Sequence, residues 1–254
     1  MIGYTGDNGL SEQQMSHFSQ FPMQAIGYIH SPFDEKFGIP RQPGLASVRA
    51  SIELVPPYAN ADAVRGLEHC THIWLVFLFS ATADKGWSPT VRPPRLGGNQ
   101  RLGVFATRSP FRPNPIGLSC VRLTGIHCKG DSVRLEVEGA DLLNGTPVLD
   151  IKPYLPYSDS LPDAEFALAT HIERLQLPVI FSPEAERACH TLGQRLNQPL
   201  VRQITEILCC DPRPAYQKGD SERIYGISLY GQNIRFTISD AQIDVLSIEP
   251  NPES

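Results

Sequence analysis

Through the first two thirds of the chain, apolar and β-branched residues gather in short stretches with turn signals between them. The stretches at 25–30, 48–54, 72–79, 102–107, 116–127, 132–138 and 147–154 predict seven strands. A short helix is predicted over 61–67, with Asn60 as its cap. Residues 116–127 and 132–138 read as a hairpin across Cys128-Lys129-Gly130-Asp131. Seven short strands and one short helix do not alternate as parallel units would. They predict a compact, mostly antiparallel, single-sheet β-barrel.

Beyond residue 162 the pattern changes. Ser182 and Pro183 open a helix over 183–196. A second helix over 199–210 carries Leu200, Ile204, Ile207 and Leu208 on one face, and Asp211-Pro212-Arg213-Pro214 ends it. Strands at 223–230 and 233–239 flank Gly231-Gln232, and 244–248 supplies a last strand. The fold class is therefore mainly β with an α+β appendage. It divides into a flexible extension (1–22), a barrel (23–165) and a small C-terminal α+β domain (166–254).

Composition adjusts this picture only slightly. The 254 residues are 41% hydrophobic and 19% charged, as in ordinary globular proteins. The 23 prolines, about twice the usual share, favour short strands joined by stiff loops. The longest apolar run, 73–79, is strand-sized, so no membrane span is expected. Residues 1–24 contain neither Lys nor Arg and no apolar core, unlike a signal peptide. Six cysteines without a CxxC pair suit free thiols in a reducing cytoplasm. His69, Cys70, His72, His127 and Cys128 lack a finger-like spacing, and no metal is expected.

Charge changes the picture more. The net charge of −5 argues against nucleic acid only when averaged. From Lys85 to Arg122 there are seven cations and no Asp or Glu, which leaves 15 cations and all 27 acids elsewhere. A one-sided stretch of this kind suits a polyanion, although a solvated basic face is the plainer alternative.

Four segments carry more Gly, Pro and Arg than a connecting loop requires. In Pro40-Arg41-Gln42-Pro43-Gly44 two prolines stiffen the backbone around an Arg and a Gln, which suits a small polar ligand or simply a rigid crossover. Residues 91–98 are glycine-rich but lack the order of a P-loop or a dinucleotide fingerprint. Residues 105–118 combine three prolines, Arg108, Arg112 and Asn114 in a loop that can present fixed donors. In 139–154, Asp141 and Asp150 are candidate acceptors and Lys152 a candidate cation; a hairpin turn with an exposed Lys is the plainer reading. Residues 211–216 have the same stiff, polar character, plainly read as a helix stop.

In order and together, these segments resemble the TsaA-like family. The matching stretches are 40–44, 60–67, 86–98, 103–117, 150–154 and 211–216, within a resemblance spanning roughly 25–249. The resemblance implies a methyltransferase built on one β-barrel, working as a homodimer with S-adenosylmethionine as donor. The implied acceptor is N6 of threonylcarbamoyl-adenosine, next to the anticodon of threonine tRNA. Carried over by motif, the cofactor would touch Pro40, Arg41, Gln42, Ser80, Ala81, Arg108, Leu118, Glu138, Gly139, Ala140 and Asp141. Related sequences carry His-Gln where this chain has Ser80-Ala81, which shifts the expected contacts there to the backbone. Arg92, Arg95, Arg112, Asn114, Arg213 and Tyr216 are the expected tRNA contacts, with the C-terminal domain gripping the anticodon arm.

Methyl transfer from a sulfonium needs alignment and exclusion of water rather than a metal. The acylated N6 must lose its proton, so Asp150, Lys152 and Tyr154 are the candidate catalytic set. Asp150 or Tyr154 would remove the proton, and Lys152 or Arg112 would hold the threonyl carboxylate. A non-catalytic sensor or RNA-binding adaptor would use the same stiff polar pocket, and turnover separates the two. No clustered carboxylates or paired histidines suggest a nuclease.

Overall fold

The structure, a computed structural model, describes residues 21–93, 100–167, 174–213 and 222–251. Six strands close a barrel: β1 (Gly27–His30), β2 (Arg49–Leu54), β3 (His72–Leu78), β6 (Ile116–Lys129), β7 (Ser132–Glu138) and β8 (Pro147–Pro153). They follow the order β1-β2-β7-β6-β3-β8, and every pairing is antiparallel. The expected mostly-β barrel is thus present.

Alternation builds its core. Ala50, Ile52 and Leu54 of β2 face Val133, Leu135 and Val137 of β7, while Ile73, Leu75 and Phe77 point inward from β3. Phe77 fills the space above Gly117, where a Cβ would run into its ring. Gly117 is thus a packing choice that admits one large side chain opposite.

Two predicted elements take other forms. The apolar run at 102–107 is not a barrel strand. Its first residues form β5 (Leu102–Gly103), paired only with β4 (Thr90–Val91), and a 3₁₀ turn over Val104–Ala106 follows. Only Val104 of that turn is buried, so the run has no alternating inward face to contribute. The helix expected over 61–67 is two 3₁₀ turns, Ala61–Val64 and Leu67–His69, interrupted by Gly66 at φ 95. Asn60 does cap the first turn, accepting from the Asp62 N–H.

The C-terminal part has two helices, α1 (Pro183–Leu196) and α2 (Leu200–Cys209), against a four-stranded sheet. Ser182 caps α1 by accepting from the Ala185 N–H at 3.0 Å. The sheet order is β10 (Tyr225–Leu229), β11 (Gln232–Ile238), β12 (Ile243–Pro250) and β9 (Val179–Phe181). The β10–β11 turn is Tyr230-Gly231, both at positive φ, one residue before the expected position. Strand β9 escaped the sequence reading. It spans three residues and pairs parallel to β12, a partner more than sixty residues away.

The two parts share a core. Phe33, Ala46 and Val48, all from the β1–β2 loop, are buried in the cluster built by α1, α2 and the C-terminal sheet.

Candidate functional site

The β1–β2 loop carries Pro40, Arg41 and Gln42 over one end of the barrel. Three further segments meet it there. The Gln42 side-chain oxygen accepts from the Arg108 guanidinium. The Ala81 carbonyl, in a single helical turn (Ser80–Ala83) after β3, accepts from Lys36 Nζ at 3.0 Å. The Gly44 N–H donates to the Gly139 carbonyl at 2.8 Å. Gly139 sits at φ 85, where a Cβ would meet Gly44 Cα at 3.1 Å, so glycine lets the two backbones approach.

Beyond Gly139 the chain crosses the barrel mouth, with Ala140 and Leu142 buried on its core. Asp141 between them accepts from the Ser119 hydroxyl at 2.6 Å. Burial pushes the Asp141 carboxyl up to about 6, against the opposing pull of Ser119, its own backbone N–H and Arg108. The structure therefore gathers Gln42, Ala81, Arg108, Gly139 and Asp141 at one rim. Ser119 belongs to the same network and was missed, because a lone inward serine on a strand carries no motif.

The three candidate catalytic residues lie on β8 and just after it. The Asp150 carboxylate pairs with Lys152 Nζ at 2.8 Å, and this contact holds the Lys152 ammonium above its ordinary value. Tyr154 packs against Trp74, with ring centroids 5.8 Å apart. Inward side chains leave Asp150 and Lys152 on the outer surface of the sheet. Leu118, 53% exposed, is on that surface too, in one cross-strand row with Val76 and Asp150. Two strand spacings put Leu118 and Asp150 about 10 Å apart. Leu118 thus joins the rim to the outer face: its neighbour Ser119 points in to Asp141, while Leu118 itself points out toward Asp150.

The expected tRNA contacts are scattered. Arg92 and Asn114 are exposed on the excursion between β3 and β6. Arg112 is turned back on that excursion, donating to the Thr107 carbonyl at 2.7 Å and lying over the Phe105 ring. Arg213 is buried, its Nε 2.9 Å from the Asp211 carboxylate, a placement that suits bracing better than gripping. Arg95 and Tyr216 lie outside the described residues. Among the described residues no three His, Cys, Asp or Glu side chains are grouped to hold a metal ion, and no helix is long and apolar enough to cross a membrane.

A cleft of about 340 Å³ opens beside the rim, between the outer face of β6 and the C-terminal part. Gly44, Ser47, Arg122, Gly139, Arg202 and Glu206 are among its walls.

Comparison with known proteins gives this geometry a context. Residues 28–160 match the family model of the tRNA-methyltransferase O N-terminal domain, and residues 174–251 match the model of the TrmO C-terminal domain. The chain is 50% identical over 234 residues to the tRNA (adenine(37)-N6)-methyltransferase of Escherichia coli K12, covering 91% of this chain and 99% of that one. It is 49% identical over 212 residues to a putative S-adenosylmethionine-dependent methyltransferase, RcsF, of Pseudomonas aeruginosa, covering 83% and 90%. A crystal structure of TrmO from Pseudomonas aeruginosa superposes with a TM-score of 0.75 at 41% identity, covering 90% of this chain and 98% of that one.

Proposed function

Because the chain belongs to the tRNA-methyltransferase O family, we propose that it is a tRNA (adenine37-N6)-methyltransferase whose acceptor is N6 of threonylcarbamoyl-adenosine. The observation that carries the site assignment is the network of Gln42, Arg108, Asp141 and Ser119, which joins three chain segments far apart in sequence at one rim.

The rim suits S-adenosylmethionine as donor. Its zwitterionic end and ribose need cations and acceptors, which Arg41, Arg108 and Glu138 offer. The adenine needs an apolar wall, for which Leu118 is exposed. The close approach of Gly44 and Gly139 brings two backbones to the same ligand surface. When bound, S-adenosylmethionine supplies an electrophilic methyl group.

The chain's own part is orientation and proton removal. An efficient proton acceptor has a pKa close to the working pH, and Asp141, pushed up to about 6, meets that condition. Ser119 fixes which way its carboxylate points. As the methyl passes from sulfur to nitrogen and the donor leaves as S-adenosylhomocysteine, Asp141 would take the N6 proton. Asp150 positions Lys152 to meet the threonyl carboxylate, a role for which Arg112, engaged with its own loop, is less suited. The exposed Arg92 and Asn114 contact the anticodon arm, and the enzyme acts in the cytoplasm as a homodimer.

The test is methyl transfer from labelled S-adenosylmethionine to tRNA with and without the threonylcarbamoyl group. Label on the modified tRNA alone is expected. No label despite cofactor binding would favour the sensor or adaptor reading. Lys152→Ala should reduce transfer to modified tRNA more than tenfold while leaving the cofactor Kd unchanged; an equal loss of both would remove Lys152 from the substrate site.

A further inference from the structure

The loop that carries Pro40, Arg41 and Gln42 leaves the barrel and returns to it, yet on both sides it is also tied to the C-terminal part. On the outgoing side, Phe33 is 1% exposed within the C-terminal core, Glu35 accepts from the Ser228 N–H at 3.0 Å, and Gly38 lies against Ile227. On the returning side, Glu206 of α2 accepts from both the N–H and the hydroxyl of Ser47, each at 2.6 Å. Its other oxygen accepts from Arg202 at 2.8 Å, and Gln203 donates to the Ser47 carbonyl at 3.0 Å. Three residues before Ser47, Gly44 donates to Gly139 inside the rim. Residues 44–47 are thus held between Glu206 and the site itself.

We propose that Glu206 is a positioning residue of the cofactor site, acting through Ser47 to hold the 40–47 loop in its binding conformation. The proposal rests on the reading of the rim as the S-adenosylmethionine site. It gives the C-terminal part a role distinct from tRNA contact: one wall of the cofactor site is braced from there. Burial alone would raise the Glu206 carboxyl, but the two Ser47 donors and Arg202 outweigh it and bring it below the ordinary value. The carboxylate is therefore charged at neutral pH, and hydrogen bonds to a charged group are the stronger kind.

The experiment measures binding of S-adenosylmethionine to the full chain by calorimetry, for the unaltered protein, Glu206→Ala, Glu206→Gln and Ser47→Ala. Glu206→Ala should raise the cofactor Kd and KM by about 10- to 100-fold, with kcat at saturating cofactor and the affinity for tRNA unchanged. Glu206→Gln keeps a carbonyl acceptor for Ser47 and should recover most of that loss. Ser47→Ala, which removes only the hydroxyl donor, should fall between the two and remains informative if Glu206→Ala does not fold. Unchanged Kd in Glu206→Ala or, where that variant is unfolded, in Ser47→Ala would overturn the positioning role. So would a fall in kcat without a change in KM. An unaltered protein that fails to bind S-adenosylmethionine would instead overturn the functional reading on which this one rests.

Discussion

The barrel packs its core from its own strands, whereas the C-terminal part borrows. The barrel cluster draws on β1, β2, β3, β6, β7 and β8 with the loop residues that plug its mouth. The C-terminal cluster stacks α1 and α2 on a four-stranded sheet and is completed by Phe33, Ala46 and Val48 from the other half of the chain. A sheet closed on itself has no free edge and needs no partner element. An open sheet with helices must cover its remaining apolar surface, and here the β1–β2 loop supplies part of that cover. The loop that covers the C-terminal core also presents Gln42 to the rim. Packing in one half and chemistry in the other are therefore coupled through one segment.

Loss of the C-terminal part would disrupt this coupling most. A chain ending at residue 173 would expose Phe33, Ala46 and Val48 and remove the Glu35–Ser228 and Ser47–Glu206 ties of the β1–β2 loop. Binding of S-adenosylmethionine should fall by more than about 100-fold, two or more charged hydrogen bonds being lost together. A truncated barrel that binds cofactor normally would show that the two halves are independent.

Next is Phe33→Ala, which empties a fully buried site at the junction and should cost about 3–5 kcal/mol in chemical denaturation. If the coupling holds, the loss of cofactor affinity accompanies it. Phe236→Ala, equally buried in the same cluster but on β11 and not on the loop, should cost a similar amount of stability with a smaller change in Kd.

Asp141→Asn sharpens the comparison from the barrel side. Its carboxyl is raised from 3.8 to about 6 on folding, so the folded state prefers the protonated form. That preference is fully favourable below the unfolded value and is lost as pH rises through about 6. The Asn variant, which cannot ionise, should be more stable than the unaltered protein by about 1–3 kcal/mol at pH 8, with the gain vanishing below pH 4. Its turnover should lie well below that of the unaltered protein at pH 8, with the difference closing as pH falls through about 6. Equal melting temperatures at pH 8 would mean that the carboxyl is not desolvated.

The smallest effect concerns the excursion. Arg92→Ala should weaken tRNA binding severalfold and reduce the slope of log K against log salt by about one, without touching cofactor affinity. An unchanged slope would place the phosphate contacts elsewhere.

The sequence by itself determined most elements of both halves. Apolar, β-branched stretches bounded by turn signals marked β2, β3, β6, β7 and β8, and in β2, β3 and β7 every second residue is buried, as a strand with one buried face requires. Ser182-Pro183 marked the start of α1, because a cap satisfies orphan amide groups locally. The family resemblance grouped Gln42, Arg108 and Asp141, which the fold brings to one rim. The sequence reading failed at 102–107, where an apolar run is equally a strand or a buried turn, and at β9, which three residues cannot announce. Tertiary structure decided what required distance. It turned Arg112 and Arg213 inward, joined Ser119 to Asp141 and tied Ser47 to Glu206 across 159 positions. Hydrogen bonds between such remote residues leave no periodic trace, because nothing in either local stretch repeats to reveal the other. The raised Asp141 carboxyl follows from the same fact, since desolvation belongs to the folded surroundings and not to the residue.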